Sequence, residues 1–109
     1  MGIVAKLDTL RSLAFGGISG SYAVIGAPLT YPANAFRIVN NTDGDIFVSD
    51  DGTNNKLFVP AGSFVLYDCG ANKVTPADDL RKAAQTQFYI KQSTAPSRGV
   101  VYVEVIYQN

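Results

Sequence analysis

The 109-residue sequence predicts an all-β fold, a single antiparallel β-sandwich of jelly-roll-like type with about seven or eight strands and at most one short helix. Three observations lead there. Val, Ile and Thr total 25 and Phe plus Tyr add 12, and such side chains fit a pleated, half-buried surface. Eight of the nine acids are Asp, which favours turns and caps over helix interiors, and ten Gly and seven Asn add turn chemistry. Turn signals also recur at roughly ten-residue intervals through the middle of the chain, the spacing of sandwich strands. The length suits one domain over residues 1–109, and the 47% hydrophobic content is enough for its own core.

In chain order, Leu7, Leu10 and Leu13 recur every third residue up to Phe15, a pattern that a helix or a strand accepts. Gly16-Gly17 ends that run, so residues 1–20 form an extended arm or an edge strand. Tyr22–Ile25 reads as a short strand closed by Gly26. Pro28 and Pro32 bracket a loop that a central strand would not tolerate. Phe36–Asn40 and Asp45–Ser49 read as strands joined by Asn41-Thr42-Asp43-Gly44, whose Asp-Gly pair is a hairpin-turn signal. Lys56–Val59 and Ser63–Asp68 follow, separated by Pro60-Ala61-Gly62. Thr75-Pro76 with Asp78-Asp79 early and Arg81-Lys82 late predicts a short helix near 76–84, charged in the sense of its dipole. Gln87–Gln92 alternates, with Phe88 and Ile90 on one face. Val100–Tyr107 is the last strand, with Val101, Val103, Val105 and Tyr107 toward the core and Tyr102 and Glu104 opposite.

The inventory for chemistry is thin. Nine basic residues balance nine acidic ones, which removes the footprint of a dedicated nucleic-acid binder. There is no histidine, and Cys69 is the single cysteine, so most zinc sites, histidine bases, Ser-His-Asp or Cys-His catalysis and any intrachain disulfide are excluded. Asp43, Asp45, Asp50 and Asp51 could in principle gather a hard cation, but they lack the calcium-loop pattern and read as turn formers. Ser19 and Ser21 sit among glycines without the lysine of a phosphate loop. Tyr31, Tyr89, Tyr102 and Tyr107 could stack on sugars or on protein. No catalytic, cofactor or metal residue is assigned, and no cofactor is expected. The start carries Lys6, Asp8 and Arg11 where a signal peptide would be apolar, so synthesis in a cytoplasm without secretion by this route is expected.

The runs Asn40-Asn41-Thr42-Asp43, Phe47-Val48-Ser49-Asp50-Asp51-Gly52, Val59-Pro60-Ala61-Gly62-Ser63, Thr86–Gln92 and Val100–Tyr107 resemble those of small virion structural proteins of tailed bacteriophages. The likeness runs from Arg37 onward. It implies a β-sandwich component of a phage particle, foremost a head-decoration protein bound to the major capsid protein. A neck or tail accessory protein is the alternative, and a glycan-binding module lies outside both. It further implies other virion proteins as partners, a homo-oligomer in the particle, and no direct contact with nucleic acid or membrane.

Partner contacts are expected on two segments. In the Pro28–Asn34 loop, Tyr31 and Leu29 stand between prolines that lower the ordering cost of binding. In the arm, Leu10, Leu13 and Phe15 either add an edge strand to the chain's own sheet or lie across a neighbouring subunit.

Overall fold

The computed structural model describes residues 5–68 and 81–108. Among the described residues, nine strands form two antiparallel sheets around one hydrophobic cluster, the all-β sandwich predicted from composition. The strands are β1 (Ala5–Leu7), β2 (Arg11–Ala14), β3 (Ala23–Val24), β4 (Ala33–Thr42), β5 (Ile46–Ser49), β6 (Leu57–Val59), β7 (Phe64–Asp68), β8 (Tyr89–Gln92) and β9 (Gly99–Gln108). The count exceeds the seven or eight expected because the N-terminal run supplies two short strands, which line up one after the other along β9. One sheet, here sheet A, runs β1-β9-β4-β7 with β2 also on β9, and sheet B runs β3-β8-β5-β6.

Burial follows the side-chain alternation. Along β9, Val101, Val103 and Val105 are buried, while Tyr102 and Glu104 turn outward. Tyr107, assigned to the core from the pattern, is half-buried instead, with its ring stacked on Tyr31 at the sheet end. Ile38 of β4, Val48 of β5 and Ile90 of β8 complete the interior from both sheets. The long central pair β4 and β9 is registered from Ala33↔Tyr107 to Thr42↔Gly99, with a bulge between Ala33 and Ala35.

Two expectations need correction. The Asp43-Gly44 turn does not close a hairpin. β4 pairs with β7 and β9 in sheet A, whereas β5 pairs with β6 and β8 in sheet B, so the turn carries the chain between sheets. Buried Asn40 holds that corner. Its Nδ2 donates to the carbonyls of Gly44 (2.8 Å) and Val59 (3.0 Å), and its Oδ1 accepts from the Thr42 amide (3.1 Å) and hydroxyl (2.6 Å). These bonds satisfy backbone groups that a sheet ladder would otherwise take up. The second correction concerns the helix near 76–84. Residues 76–80 lie outside the described part, and 81–84 are not helical: Lys82 forms a β-bridge to Ala33, with hydrogen bonds in both directions.

Candidate assembly surfaces

The four aspartates that could have gathered a cation serve the loops. The Asp43 carboxylate accepts from the Ser97 amide (2.7 Å) and hydroxyl and from the Arg98 amide (3.2 Å). The Ser97 hydroxyl and amide are the main reason its pKa falls from 3.8 to about 2. Asp45 accepts from the Ala61 amide at 2.9 Å. Asp51 folds the 50–55 loop by accepting from the amides of Thr53 (2.8 Å) and Asn54 (2.9 Å) and from the Ser49 hydroxyl (2.7 Å), and its pKa is lowered, most by the Asn54 amide. Asp50 pairs with Lys82 and with Lys56, and Lys82 is the first cause of its lowered pKa. The carboxylates are thus consumed by turn geometry and ion pairs. Ser19 likewise caps its own turn, taking the Ser21 amide at 3.2 Å. Cys69 lies outside the described residues.

The expected contact residues separate. Leu29 is 0% exposed and belongs to the core, which corrects its assignment as a partner contact. Its amide donates to Thr86 O and its carbonyl accepts from Gln85 N, so the loop between the prolines is pinned inward. Tyr31 is exposed and stacks on Tyr107 at 4.7 Å with the planes 9° apart. Leu13 packs against the core, whereas Leu10 and Phe15 are exposed. The arm question is answered for residues 5–14: β1 and β2 pair with the chain's own β9. Arg11 fastens this edge. It is buried, donates to the carbonyls of Ala27 (2.7 Å), Pro28 (3.2 Å) and Thr9 (3.1 Å), and pairs with Asp8. Gly26, at φ +66, leaves the room, since a Cβ there would sit 2.4 Å from the Arg11 side chain.

The largest exposed apolar groups lie elsewhere, on the outer faces of the sheets. On sheet A, successive cross-strand rows read Leu7, Ile106, Ala35, Asp68, then Glu104, Arg37, Leu66, then Ser12, Tyr102, Val39, Phe64. Leu7 is 82% exposed, Leu66 61% and Phe64 60%. At the centre Arg37 Nε donates to Glu104 Oε1 at 2.5 Å, and the guanidinium lies 5.5 Å from the Phe64 ring centre. The hydrogen bond from Arg37 is the first cause of the lowered Glu104 pKa. A groove beside β9 is lined by Leu7, Leu10 and Ile106 with Asp8 and Glu104.

The outer row of sheet B reads Lys91, Phe47, Phe58, with Tyr22 beside Lys91. Phe58 is half exposed. The Lys91 ammonium sits over Tyr22 (4.9 Å) and Phe47 (5.7 Å). The Phe47 and Phe58 rings are inclined at 56°, so they form no flat platform for a sugar ring. The sequence does not disclose these faces, because an apolar run such as Phe64-Val65-Leu66-Tyr67, without polar partners, does not say which parity faces out.

No known family model matches the chain, and no curated protein matches it. Among solved structures, one shares its fold and another is more distantly similar. One comes from work described as "Bacillus endospore appendages form a novel family of disulfide-linked pili", with a TM-score of 0.53 and 13% identity over 98% of this chain and 90% of that chain. The other is the Dit protein of phage SPP1, described as a paradigm of the hub adsorption apparatus in phages of Gram-positive hosts, with a TM-score of 0.44 and 12% identity over 94% of this chain. This chain spans 49% of that one, about half its length. At these identities the appendage protein shares the fold with this chain and establishes nothing further.

Proposed function

We propose that this chain is a non-enzymatic structural subunit of a tailed-bacteriophage particle, and within it a capsid decoration protein seated on the major capsid protein. One observation carries the assembly reading: both outer faces of a small sandwich expose apolar side chains, Leu7, Phe64 and Leu66 on one and Phe58 on the other. Exposed apolar side chains on two opposed faces suit a subunit held between neighbours. The virion assignment is supported by the sequence runs at 40–43, 47–52, 59–63, 86–92 and 100–107. The Bacillus protein of like fold is described as forming disulfide-linked pili. Covalent extension of that kind does not suit this chain, because a single cysteine links at most two copies.

Fractionated particles test the reading. The chain is expected with heads, at a copy number that follows the capsid lattice. Recovery with necks or tails at ring stoichiometry replaces decoration by an accessory role, and absence from particles ends the virion reading. On undecorated heads, Phe58→Ser is expected to bind at least about tenfold more weakly than wild type, the loss typical of an exposed aromatic anchor. Specific binding on a glycan array without binding to heads would favour a glycan module instead.

A further inference from the structure

We propose that the outer face of sheet A binds a second copy of this chain, face to face about a two-fold axis running parallel to the strands between β4 and β9, with Arg37 of each copy against the partner's Glu104. The proposal deepens the assembly reading by naming the occupant of one of its two faces, and it leaves sheet B for the other virion protein.

Charge complementarity selects the occupant. Apolar groups dominate the face around a central cation and anion side by side on neighbouring strands, Arg37 and Glu104, with side chains 43% and 45% exposed; Asp68 and Ser12 lie toward its edges. An isologous interface places each surface patch against itself. A two-fold axis across the strands would lay Arg37 on the partner's Arg37 and Glu104 on the partner's Glu104. An axis along the strands exchanges β4 with β9, so the four charges form a square of alternating sign. Excluding water from that square strengthens each attraction.

The same axis exchanges the two edges of the sheet. Leu66, on edge strand β7, then lies over the partner's groove, where Leu7, Leu10 and Ile106 supply an apolar lining beside Asp8 and Glu104. Rotation about the strand direction also keeps the strands of the two copies aligned, the ordinary way for sheets to pack. The extent of the face is sufficient. Two ten-residue central strands flanked by the shorter β7 and by β1 and β2 cover a flat footprint of about 500 Å². Side-chain relief raises that toward the roughly 800 Å² per partner of a stable interface.

Sedimentation of the purified chain tests this independently of any particle. Wild type is expected to be dimeric at about 10 μM, and Leu66→Glu monomeric there. Arg37→Glu and Glu104→Arg each place like charges across the axis, so each alone is expected to be monomeric. Mixed one to one, they oppose two acids to two bases and are expected to recover the dimer, which a purely structural role for the intrachain pair would not produce. Circular dichroism establishes that each variant is folded, and if a reversal unfolds, Leu66→Glu decides alone. Monomeric wild type at about 100 μM, dimeric Leu66→Glu, or folded single reversals that stay monomeric when mixed would each overturn the proposal. A dimer absent from particles keeps this interface and removes the virion reading, whereas a monomer found in particles does the reverse.

Discussion

Removing the Asn40 side chain should unfasten the corner where the chain passes from sheet A to sheet B. The residue is 0% exposed and makes four side-chain hydrogen bonds, to Gly44 O, Val59 O, Thr42 N and Thr42 Oγ1. In Asn40→Ala, Gly44 O retains the Thr42 hydroxyl at 3.0 Å, but Val59 O and Thr42 N lose these bonds inside the protein. Each buried group so deprived costs about 1–3 kcal/mol, and the small cavity adds to it, for a total of about 3–5 kcal/mol. That is a large share of the roughly 5–15 kcal/mol that holds a domain of this size. At about 4–8 °C per kcal/mol, the thermal midpoint should fall by about 12–40 °C. Asn40→Asp separates bonding from volume, since it keeps the shape and removes both donors, so it should be at least as damaging at neutral pH. Thermal unfolding followed by circular dichroism measures both variants. A loss below about 5 °C in each would show that the corner is held by something other than this side chain.

Two further outcomes follow from the backbone and the acids. Gly99 (φ +99) and Gly62 (φ +72) share a left-handed backbone, but a Cβ at Gly99 would lie 2.0 Å from Asn41 O while one at Gly62 meets nothing within 4 Å. Gly62→Ala should therefore cost about 1 kcal/mol from conformation alone, and Gly99→Ala clearly more by the same denaturation assay, through forced separation of β4 and β9. Asp43 has a folded pKa of about 2 against an ordinary 3.8, so its contribution is complete above the ordinary value and is lost as pH falls through the folded one. Between pH 5 and pH 2, Asp43→Asn should lose less thermal stability than wild type does, and equal losses would remove Asp43 from the acid response; the residual loss belongs to groups such as Asp51, also depressed.

Local chemistry made the strands and the turns legible. β-branched and aromatic runs bounded by Gly, Pro, Asp and Asn located seven of the nine strands, and alternation in β9 assigned Val101, Val103 and Val105 inward. The turn role was legible for Asp51, which bonds the nearby amides of Thr53 and Asn54, but Asp43 and Asp45 reach to the distant amides of Ser97, Arg98 and Ala61, and Asp50 pairs with Lys82 and Lys56. Pairing was not. A Thr-Asp-Gly turn looks alike whether it closes a hairpin or crosses between sheets, and here the buried amide of Asn40 and the partners of β4 decided for the crossing. Exposure was not legible either. Leu29, between two prolines, read as a surface anchor and is core because Thr86 and Gln85 pin its backbone. The apolar run over Phe64–Tyr67 gave no facing, and Phe64 and Leu66 face water because β7 is an edge strand whose inward parity belongs to Val65 and Tyr67. Glu104 and Arg37 lie 67 residues apart and become neighbours only through the β4–β9 register. Hydrophobic pattern and turn chemistry act over a few residues and are written in the chain, whereas register and sheet membership depend on partners distant in sequence and are set when the two sheets close on one core.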